Sequence, residues 1–255
     1  LDPEVLKLQS LSLGEELRLL EKQIYELANG EIFNIASPKQ LAVVLFSKLQ
    51  LPSGKKTKTG FSTDNEVLEK LAGAYPICAK IIEYREAAKL KSTYVDSLPQ
   101  LIGADGRIHT TYNQALTSTG RLSSIHPNLQ NIPIRTERGN RIRGAFVANP
   151  GCKLVSADYS QIELRVLAHL TEDPGLLNAF EQNLDIHAAT ASEVFNVPLE
   201  QVTSEMRRQA KAVNFGLAYG QGVFGLSETL GISRAEASSI VDSYFTKFKR
   251  VQEYM

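Results

Sequence analysis

The spacing of apolar residues changes twice along this chain, and these changes constrain the fold more than any other sequence feature. Up to about residue 95 the apolar positions recur every three or four residues, which is typical of one helix face. From about Asp96 short apolar stretches alternate with turn residues, and after Gln161 the helical spacing returns. This order predicts an α+β fold with a sheet between two helical parts. The clearest helical series is Leu13, Leu17, Leu20, Ile24 and Leu27.

Capping residues predict where several helices begin. Short polar side chains favour helix N-termini because their oxygens accept hydrogen bonds from unpaired backbone N–H groups. A proline in the next position fits the first helical turn, which predicts a helix from Pro38 to about Leu49 and another from Pro76 to about Tyr94. The predicted capping residues are Ser37, Thr63, Asp185 and Ser233. Two of them are predicted to form capping boxes with a glutamate three residues later, Thr63 with Glu66 and Ser233 with Glu236.

Three segments in the middle of the chain have strand-like composition. Residues 107–114 are rich in β-branched and aromatic side chains and follow the turn signal Asp105-Gly106. Residues 142–148 and 154–158 are also predicted as strands, separated by the turn at residues 149–151.

Composition excludes several classes of protein. The longest apolar run, Leu41 to Phe46, is too short to span a bilayer. The N-terminus has no signal-peptide pattern, and Cys78 and Cys152 lack the spacing of a zinc site or a disulfide framework. We therefore expect no membrane partner and a cytoplasmic protein, or an organellar one. The chain begins at Leu1 and ends at Met255 inside a predicted helix, so we also expect a fragment of a longer protein.

Positive charge is concentrated in one part of a chain whose formal net charge is zero. Residues 107–153 contain seven Lys and Arg side chains and a single acidic one, Glu137. Such a stretch suits phosphate binding, although a solvated face with counter-charges elsewhere explains it equally well. A second basic group is the loop with Lys55, Lys56 and Lys58.

Asp158 follows an apolar predicted strand at the point where a helix is predicted to begin. A strand end holds a ligand rigidly, and carboxylate oxygens suit Mg²⁺. Asp158 capping the following helix is the alternative interpretation.

A stripe of two cations and two aromatic rings lies on one predicted helix. Arg207, Lys211, Phe215 and Tyr219 are four residues apart and advance only ~40° per step around the helix. The cations suit a polyphosphate and the rings suit a planar base. The alternative is a surface helix whose aromatic residues point into a core.

The segment 119–135 is dense in amides, hydroxyls and arginines, which contact base edges and phosphates. A loop held by its own hydrogen bonds is the alternative for most of these side chains. The nucleic-acid-binding candidates in this segment are Arg121, Asn128, Gln130, Asn131 and Arg135.

Together these segments resemble the family A DNA polymerases of the bacterial DNA polymerase I type. Residues 158–165 match the motif A of that family, and residues 207–220 match its motif B without a departure. The Thr-Gly-Arg and Asn-Leu-Gln-Asn segments match its template- and primer-contacting region. The resemblance implies a right-hand architecture, with a helical thumb at 1–95, part of an antiparallel palm at 96–160 and part of helical fingers at 161–255.

The resemblance also implies DNA-templated nucleotidyl transfer with two Mg²⁺ ions. Primer-template DNA and deoxynucleoside triphosphates would be the partners of a monomeric enzyme. Glu163 would crowd a 2′-hydroxyl, because related single-subunit RNA polymerases have a small residue there. The implied metal ligands are Asp158 and the carbonyl of Tyr159; the implied nucleotide contacts are Arg207, Lys211, Gln161, Ile162, Glu163, His187, Phe215 and Tyr219.

One departure from the family pattern is clear. The family has a third motif, His-Asp-Glu, whose Asp is the second metal carboxylate, and none of the four histidines here precedes an Asp. We expect that the chain lacks this motif because it is a fragment and that it is inactive alone. A non-catalytic nucleic-acid-binding module and a template-dependent RNA polymerase are the alternative functions.

Overall fold

A computed structural model of the chain describes residues 1–52, 56–57, 60–134 and 136–255, with only the backbone at 56–57. The chain divides into two compact units, Leu1–Val155 and Ser156–Met255. Among the described residues, the first unit contains two clusters of buried apolar side chains and the second unit contains one. None of the helices in the described residues is long and apolar enough to cross a membrane.

The first unit is mainly helical. Its longest helix begins at Pro3 because the Asp2 side chain accepts hydrogen bonds from two N–H groups of the first turn. It ends before Asn29 and Gly30, which both have positive φ. The α-helices of this unit are α1 (Pro3–Leu27), α2 (Pro38–Ala42), α3 (Asn65–Ala72), α4 (Pro76–Leu90) and α5 (Glu137–Arg143).

Short helical extensions follow two of these helices. Helix α2 continues as a π-helical segment, Val43–Lys48, and α4 continues as Lys91–Val95. These extensions confirm the helices predicted over 38–49 and 76–94, including the cap, since Ser37 accepts a hydrogen bond from the N–H of Gln40. A 3₁₀ turn, Leu98–Leu101, comes next.

The described strands form two antiparallel hairpins. Strand β1 (Lys56–Thr57) pairs with β2 (Gly60–Phe61), and β3 (Thr111–Asn113) pairs with β4 (Ser123–Ile125). Helices with two small antiparallel sheets in the described part of the chain confirm the α+β fold. Strand β3 lies within the segment predicted at 107–114.

Two strand predictions are wrong. In the segment predicted as a strand at 142–148, Ile142 and Arg143 are the last residues of α5, which Thr136 caps and the buried Ile142 anchors in the core. Residues 144–148 form a turn and an irregular stretch. Residues 154–158 pair with no other strand in the described part of the chain, and Val155 is 90% exposed. Apolar composition alone does not provide a neighbouring strand with which to hydrogen-bond.

The capping box predicted at Thr63 is also wrong. Asp64 is the capping residue of α3, and its carboxylate accepts the hydrogen bond from the N–H of Val67. The carbonyl and hydroxyl of Thr63 instead accept hydrogen bonds from Arg85. The helix therefore begins one residue later than predicted, after Asp64, and Thr63 is engaged by a charged side chain of α4.

The second unit is a set of helices around one core. Its largest fully buried side chain is Tyr244, whose ring packs on Phe245 and Phe248. A 3₁₀ turn at Leu199–Gln201 separates the two halves of this unit. The α-helices are α6 (Ile162–Thr171), α7 (Pro174–Glu181), α8 (Ile186–Phe195), α9 (Ser204–Ala218), α10 (Val223–Leu230), α11 (Arg234–Lys247) and α12 (Lys249–Tyr254).

The predicted capping residues of this unit are confirmed. Asp185 accepts hydrogen bonds from the first-turn N–H groups of α8. Ser233 and Glu236 form a complete capping box at the start of α11. The residues after Gln161 are helical, as the apolar spacing indicates.

Candidate nucleotide-binding site

Helix α9 presents its cation and ring stripe on an exposed face. Thr203 caps the helix, and Ala210, Val213, Asn214 and Leu217 form its buried face. Arg207 and Lys211 are exposed, and Tyr219, at the C-terminal end, is 62% exposed. The alternative of two aromatic residues buried in a core is therefore wrong for Tyr219. Phe215 is half-buried and keeps part of its ring accessible.

Asp185 connects α8 to this stripe. One carboxylate oxygen, Oδ2, accepts a hydrogen bond from Arg207 Nε at 2.7 Å. The other, Oδ1, accepts from the backbone N–H groups of His187 and Ala188 at 2.9 and 3.1 Å. Burial opposes ionisation of the carboxyl, but these hydrogen bonds outweigh it, so the pKa of Asp185 is below its ordinary value. Arg207 is thus oriented by an ionised partner.

Lys211 is the less constrained cation of the stripe. It makes no ion pair with any side chain in the described part of the chain. Its ammonium group lies one turn beyond Arg207, so the two positive charges follow the helix axis toward Phe215. An anion bound on this face would contact Arg207, which Asp185 holds in place, and Lys211, whose side chain can change its conformation to reach the anion.

His187 lies beneath Phe215 and is almost fully buried, with 3% of its surface exposed. The two ring centroids are 5.6 Å apart. Burial lowers the pKa of His187, and Arg207 and Lys211 lower it further, while Asp185 acts in the opposite direction. The imidazole is therefore neutral at pH 7.

Glu163 lies in the first turn of α6, at the other end of the stripe. Its Oε1 accepts a hydrogen bond from the Tyr219 hydroxyl at 3.4 Å. The preceding Ile162 is 40% exposed, and Gln161 has the left-handed conformation, with φ of 55°. Glu163 and Tyr219 are 56 residues apart in the sequence, so this contact could not be predicted from local spacing. The packing of α6 against α9 brings the two side chains together.

Asp158 and Tyr159 lie in the segment without regular secondary structure that precedes α6, and both are exposed. The helix-cap alternative for Asp158 is wrong, because Gln161 occupies the N-cap position and no side chain caps α6. The Asp158 carboxylate forms no hydrogen bond or ion pair with the described residues. Among these residues, no three His, Cys, Asp or Glu side chains form a group that could hold a metal ion.

The candidate nucleic-acid-binding residues belong to the first unit. Arg121, Asn128, Gln130 and Asn131 are all exposed. Two of them also hold the loop together: Gln130 Oε1 accepts from the Ser124 N–H at 2.9 Å, and Asn128 Oδ1 accepts from the Gln130 N–H at 3.1 Å. The hydrogen-bonded-loop interpretation thus accounts for these two side chains. The side chains of Lys55, Lys56, Lys58 and Arg135 lie outside the described residues.

Two polar contacts of this site were not predicted from the sequence. Asn214 is fully buried and hydrogen-bonds His187, and Asp185 pairs with Arg207 in addition to capping α8. A buried asparagine between two apolar positions of an amphipathic helix is the signal that indicates Asn214. The Asp185–Arg207 pair, separated by 22 residues, has no such local signal.

Comparison with known proteins identifies the family. The family model described as DNA polymerase family A matches residues 3–255. DNA polymerase I of Geobacillus stearothermophilus is 54% identical over 256 residues, covering 100% of this chain and 29% of that protein. DNA polymerase I of Pseudomonas aeruginosa is also 54% identical, over 257 residues, with 100% and 28% covered.

A solved structure agrees with these sequence relatives. It is the POL domain of Pol1 from M. smegmatis in complex with DNA primer-template and dNTP. This structure has a TM-score of 0.90 and 44% sequence identity, and the match covers 100% of this chain and 45% of that one.

The chain described here belongs to DNA polymerase family A. It spans less than a third of the length of the curated relatives it matches.

Proposed function

We propose that this chain forms the nucleotide-binding part and part of the primer-template-binding surface of a DNA-templated DNA polymerase. The observation that carries the proposal is the exposed face of α9, where Arg207, Lys211 and the half-buried Phe215 lie beside the buried His187 of α8. Two cations and a half-exposed ring beside a neutral imidazole suit a nucleoside triphosphate. The M. smegmatis relative was solved with primer-template DNA and dNTP, which supports the same partners here.

The phosphates would be bound by the basic half of this face. Arg207 and Lys211 would neutralise a triphosphate and favour the charge that develops on the departing pyrophosphate. His187, neutral and beneath Phe215, would donate a hydrogen bond to a phosphate oxygen. Since Asp185 already holds Arg207 in place, less side-chain entropy is lost on binding.

The sugar and base would be bound by the aromatic half. Phe215 would pack on the sugar and base, and Tyr219 would lie beside the templating base. Glu163, hydrogen-bonded to Tyr219, would occupy the space needed by a 2′-hydroxyl, with Gln161 and Ile162 beside it. A side chain held in place rejects the larger sugar more strongly than a mobile one, because it cannot yield without losing its hydrogen bond.

Mg²⁺ is the metal that suits the residues before α6. The Asp158 carboxylate is exposed and unpaired within the described part of the chain, so no other group competes for its oxygens. Hard oxygen ligands match Mg²⁺, and Asp158 with the Tyr159 carbonyl would hold it. Bound Mg²⁺ would polarise phosphate oxygens and ease deprotonation of a primer 3′-hydroxyl. The two-ion scheme needs a second carboxylate, which the absent His-Asp-Glu motif supplies in the family.

DNA would be contacted by the first unit. Arg121, Asn128, Gln130 and Asn131 are exposed for such contacts, and Lys55, Lys56, Lys58 and Arg135 would add phosphate contacts. We further propose a monomeric enzyme that acts at bacterial or organellar DNA. The division into thumb, palm and fingers at residues 95 and 160 stays a prediction.

The test is binding of Mg²⁺–dATP to the chain, measured by calorimetry for the wild type and for Lys211→Ala. The matched control is Lys249→Ala, an exposed lysine of the same unit, away from the stripe. We expect Lys211→Ala to weaken binding about tenfold, the usual scale for a lost charge-assisted hydrogen bond, and Lys249→Ala to leave it unchanged. Equal affinities for all three proteins would contradict the proposal. A non-catalytic DNA-binding module would bind DNA but not dATP.

A further inference from the structure

Three polar side chains are buried together between α8 and α9. His187, Thr190 and Asn214 are 3%, 0% and 0% exposed. Asn214 Nδ2 lies 3.1 Å from His187 Nδ1 and 3.0 Å from Thr190 Oγ1. Buried polar groups need partners, so the hydrogen atoms of this cluster can be assigned one by one.

The assignment begins at Thr190, whose hydroxyl has a single hydrogen. The carbonyl of Ile186 lies 2.8 Å from Oγ1, closer than Asn214 Oδ1 at 3.2 Å, so this hydrogen goes to the carbonyl. Thr190 Oγ1 then accepts from Asn214, and of the two amide atoms Nδ2 is the nearer to the hydroxyl, at 3.0 Å against 3.2 Å for Oδ1. The second hydrogen of Nδ2 is directed at His187 Nδ1.

His187 Nδ1 must therefore be the acceptor, without a hydrogen of its own. A neutral imidazole with an unprotonated Nδ1 has its hydrogen on Nε2. In the described residues, the Tyr244 hydroxyl is the one buried side-chain nitrogen or oxygen atom without a hydrogen-bond partner. His187 Nε2 also forms no hydrogen bond with these residues. Because it is not among the buried atoms without a partner, Nε2 must be accessible to solvent. The lowered pKa of His187, caused first by burial, agrees with a neutral ring.

We infer that Asn214 is a positioning residue that holds His187 as the Nε2–H tautomer, so that its outward nitrogen donates to a triphosphate oxygen. This inference rests on the proposed function for the identity of the ligand. The opposite tautomer would present a lone pair to an anion and repel it. Asn214 thereby acts on the nucleotide through His187, without touching it.

The experiment is ¹⁵N NMR of the full chain labelled at histidine. The chain has four histidines, and His187→Gln assigns the signal of interest. Long-range couplings at pH 7.5 show which ring nitrogen is protonated. We expect Nε2–H for wild-type His187 in the absence of nucleotide. An Nδ1–H tautomer in the wild type would overturn the inference.

Two variants test the role of Asn214. Asn214→Asp keeps the shape but can only accept, so His187 should gain a hydrogen on Nδ1. Asn214→Leu removes the donor, so both tautomers should appear and affinity for Mg²⁺–dATP should fall about tenfold. The control, Asn178→Asp, makes the same change on the exposed face of α7 and should leave the His187 signals unchanged. Unchanged Nε2–H in both Asn214 variants would overturn the inference.

Nucleotide titration separates this inference from the proposed function. If dATP shifts the His187 Nε2 signal of the wild type, both stand. If the Nε2–H tautomer is present and depends on Asn214 but dATP shifts neither ring nitrogen, the nucleotide site is wrong, and with it the role of His187 as phosphate donor. The control of the tautomer by Asn214 is then retained.

Discussion

Asp185 Oδ2 accepts a hydrogen bond from Arg207 Nε at 2.7 Å, and the same carboxylate caps the helix that carries His187. One acidic side chain therefore both orients Arg207 and caps the helix on which His187 lies. Asp185 is distant from both ends of the stripe in sequence, so this arrangement exists only in the folded unit. The ion pair made by Oδ2 and the helix cap made by Oδ1 can be tested separately by two substitutions of Asp185.

Asp185→Asn should retain the cap, because asparagine is an equally good N-cap, and should lose the ion pair. We expect a loss of free energy of unfolding below ~1 kcal/mol, since the pair is partly exposed. Asp185→Ala loses the cap too and should cost about 1 kcal/mol more. Urea unfolding at pH 7 measures both values. Equal stability of all three proteins would show that the contact contributes nothing.

This contribution should also depend on pH. The pKa of Asp185 is below its ordinary value of 3.8 in the folded chain, so its charge stabilises the fold above pH 3.8. That stabilisation should disappear as pH falls through the lower, folded-state pKa. The difference between wild type and Asp185→Asn should therefore narrow in acid, and a constant difference would contradict the assignment.

His187 should give a second pH dependence, at higher pH. Its folded-state pKa is below 6.5 because burial, and then Arg207 and Lys211, disfavour the imidazolium, against the opposing effect of Asp185. The unfolded chain therefore takes up a proton first as pH falls through 6.5. We expect stability to decrease from pH 7 toward pH 5 and His187→Gln to remove part of this decrease. Identical slopes for both proteins would show that His187 does not titrate as proposed.

Tyr244 buries a hydroxyl group in the apolar core of the second unit. It is fully buried, and its hydroxyl has no hydrogen-bond partner among the described residues. Tyr244→Phe removes this desolvated group and keeps the ring contacts with Phe245 and Phe248. We expect the free energy of unfolding to rise by about 1 kcal/mol. Thermal and urea unfolding measure it, and a clear loss of stability would reveal a partner for the hydroxyl.

Glu163 and Phe215 should select the sugar at different positions. Glu163→Ala removes bulk and the Tyr219 hydrogen bond, so ribonucleotides should be accepted better. In the proposed binding mode, Phe215→Tyr would add a hydroxyl near the 3′ side of the sugar, so dideoxynucleotides should be accepted better. We expect shifts of ~1–3 kcal/mol in each discrimination. Single-nucleotide incorporation can be measured in a chimaera in which this chain replaces the matching segment of the Geobacillus stearothermophilus relative.

In that assay each variant serves as the control for the other. Glu163→Ala should leave dideoxynucleotide discrimination nearly unchanged, and Phe215→Tyr should do the same for ribonucleotides. A residue whose own discrimination does not change is not part of the sugar pocket.

Local patterns predicted the helices and the stripe, because capping and helical spacing depend on neighbouring residues. The Arg207, Lys211 and Tyr219 side chains are exposed on one helix face, as their spacing of four residues indicates. Contacts between distant segments were not predictable. In the strand predicted at 142–148, Ile142 and Arg143 belong to α5, which Thr136 caps, and the rest forms no strand; α3 begins after Asp64, while Thr63 binds Arg85 from a distant helix. The role of Asn214 depends on Thr190, 24 residues earlier in the chain.

The central claim is that this chain supplies a metal-binding carboxylate and a nucleotide face to a DNA polymerase. Primer extension by the chimaera with Asp158→Asn tests it most directly, because this change keeps the shape and removes the charge. Asp242→Asn, an exposed aspartate of the same unit, is the matched control. The account predicts a loss of at least ~10³-fold in the single-turnover rate, about 4 kcal/mol of barrier, with primer-template affinity retained and the control unchanged. A rate within about tenfold of the wild type, ~1.4 kcal/mol, would contradict it.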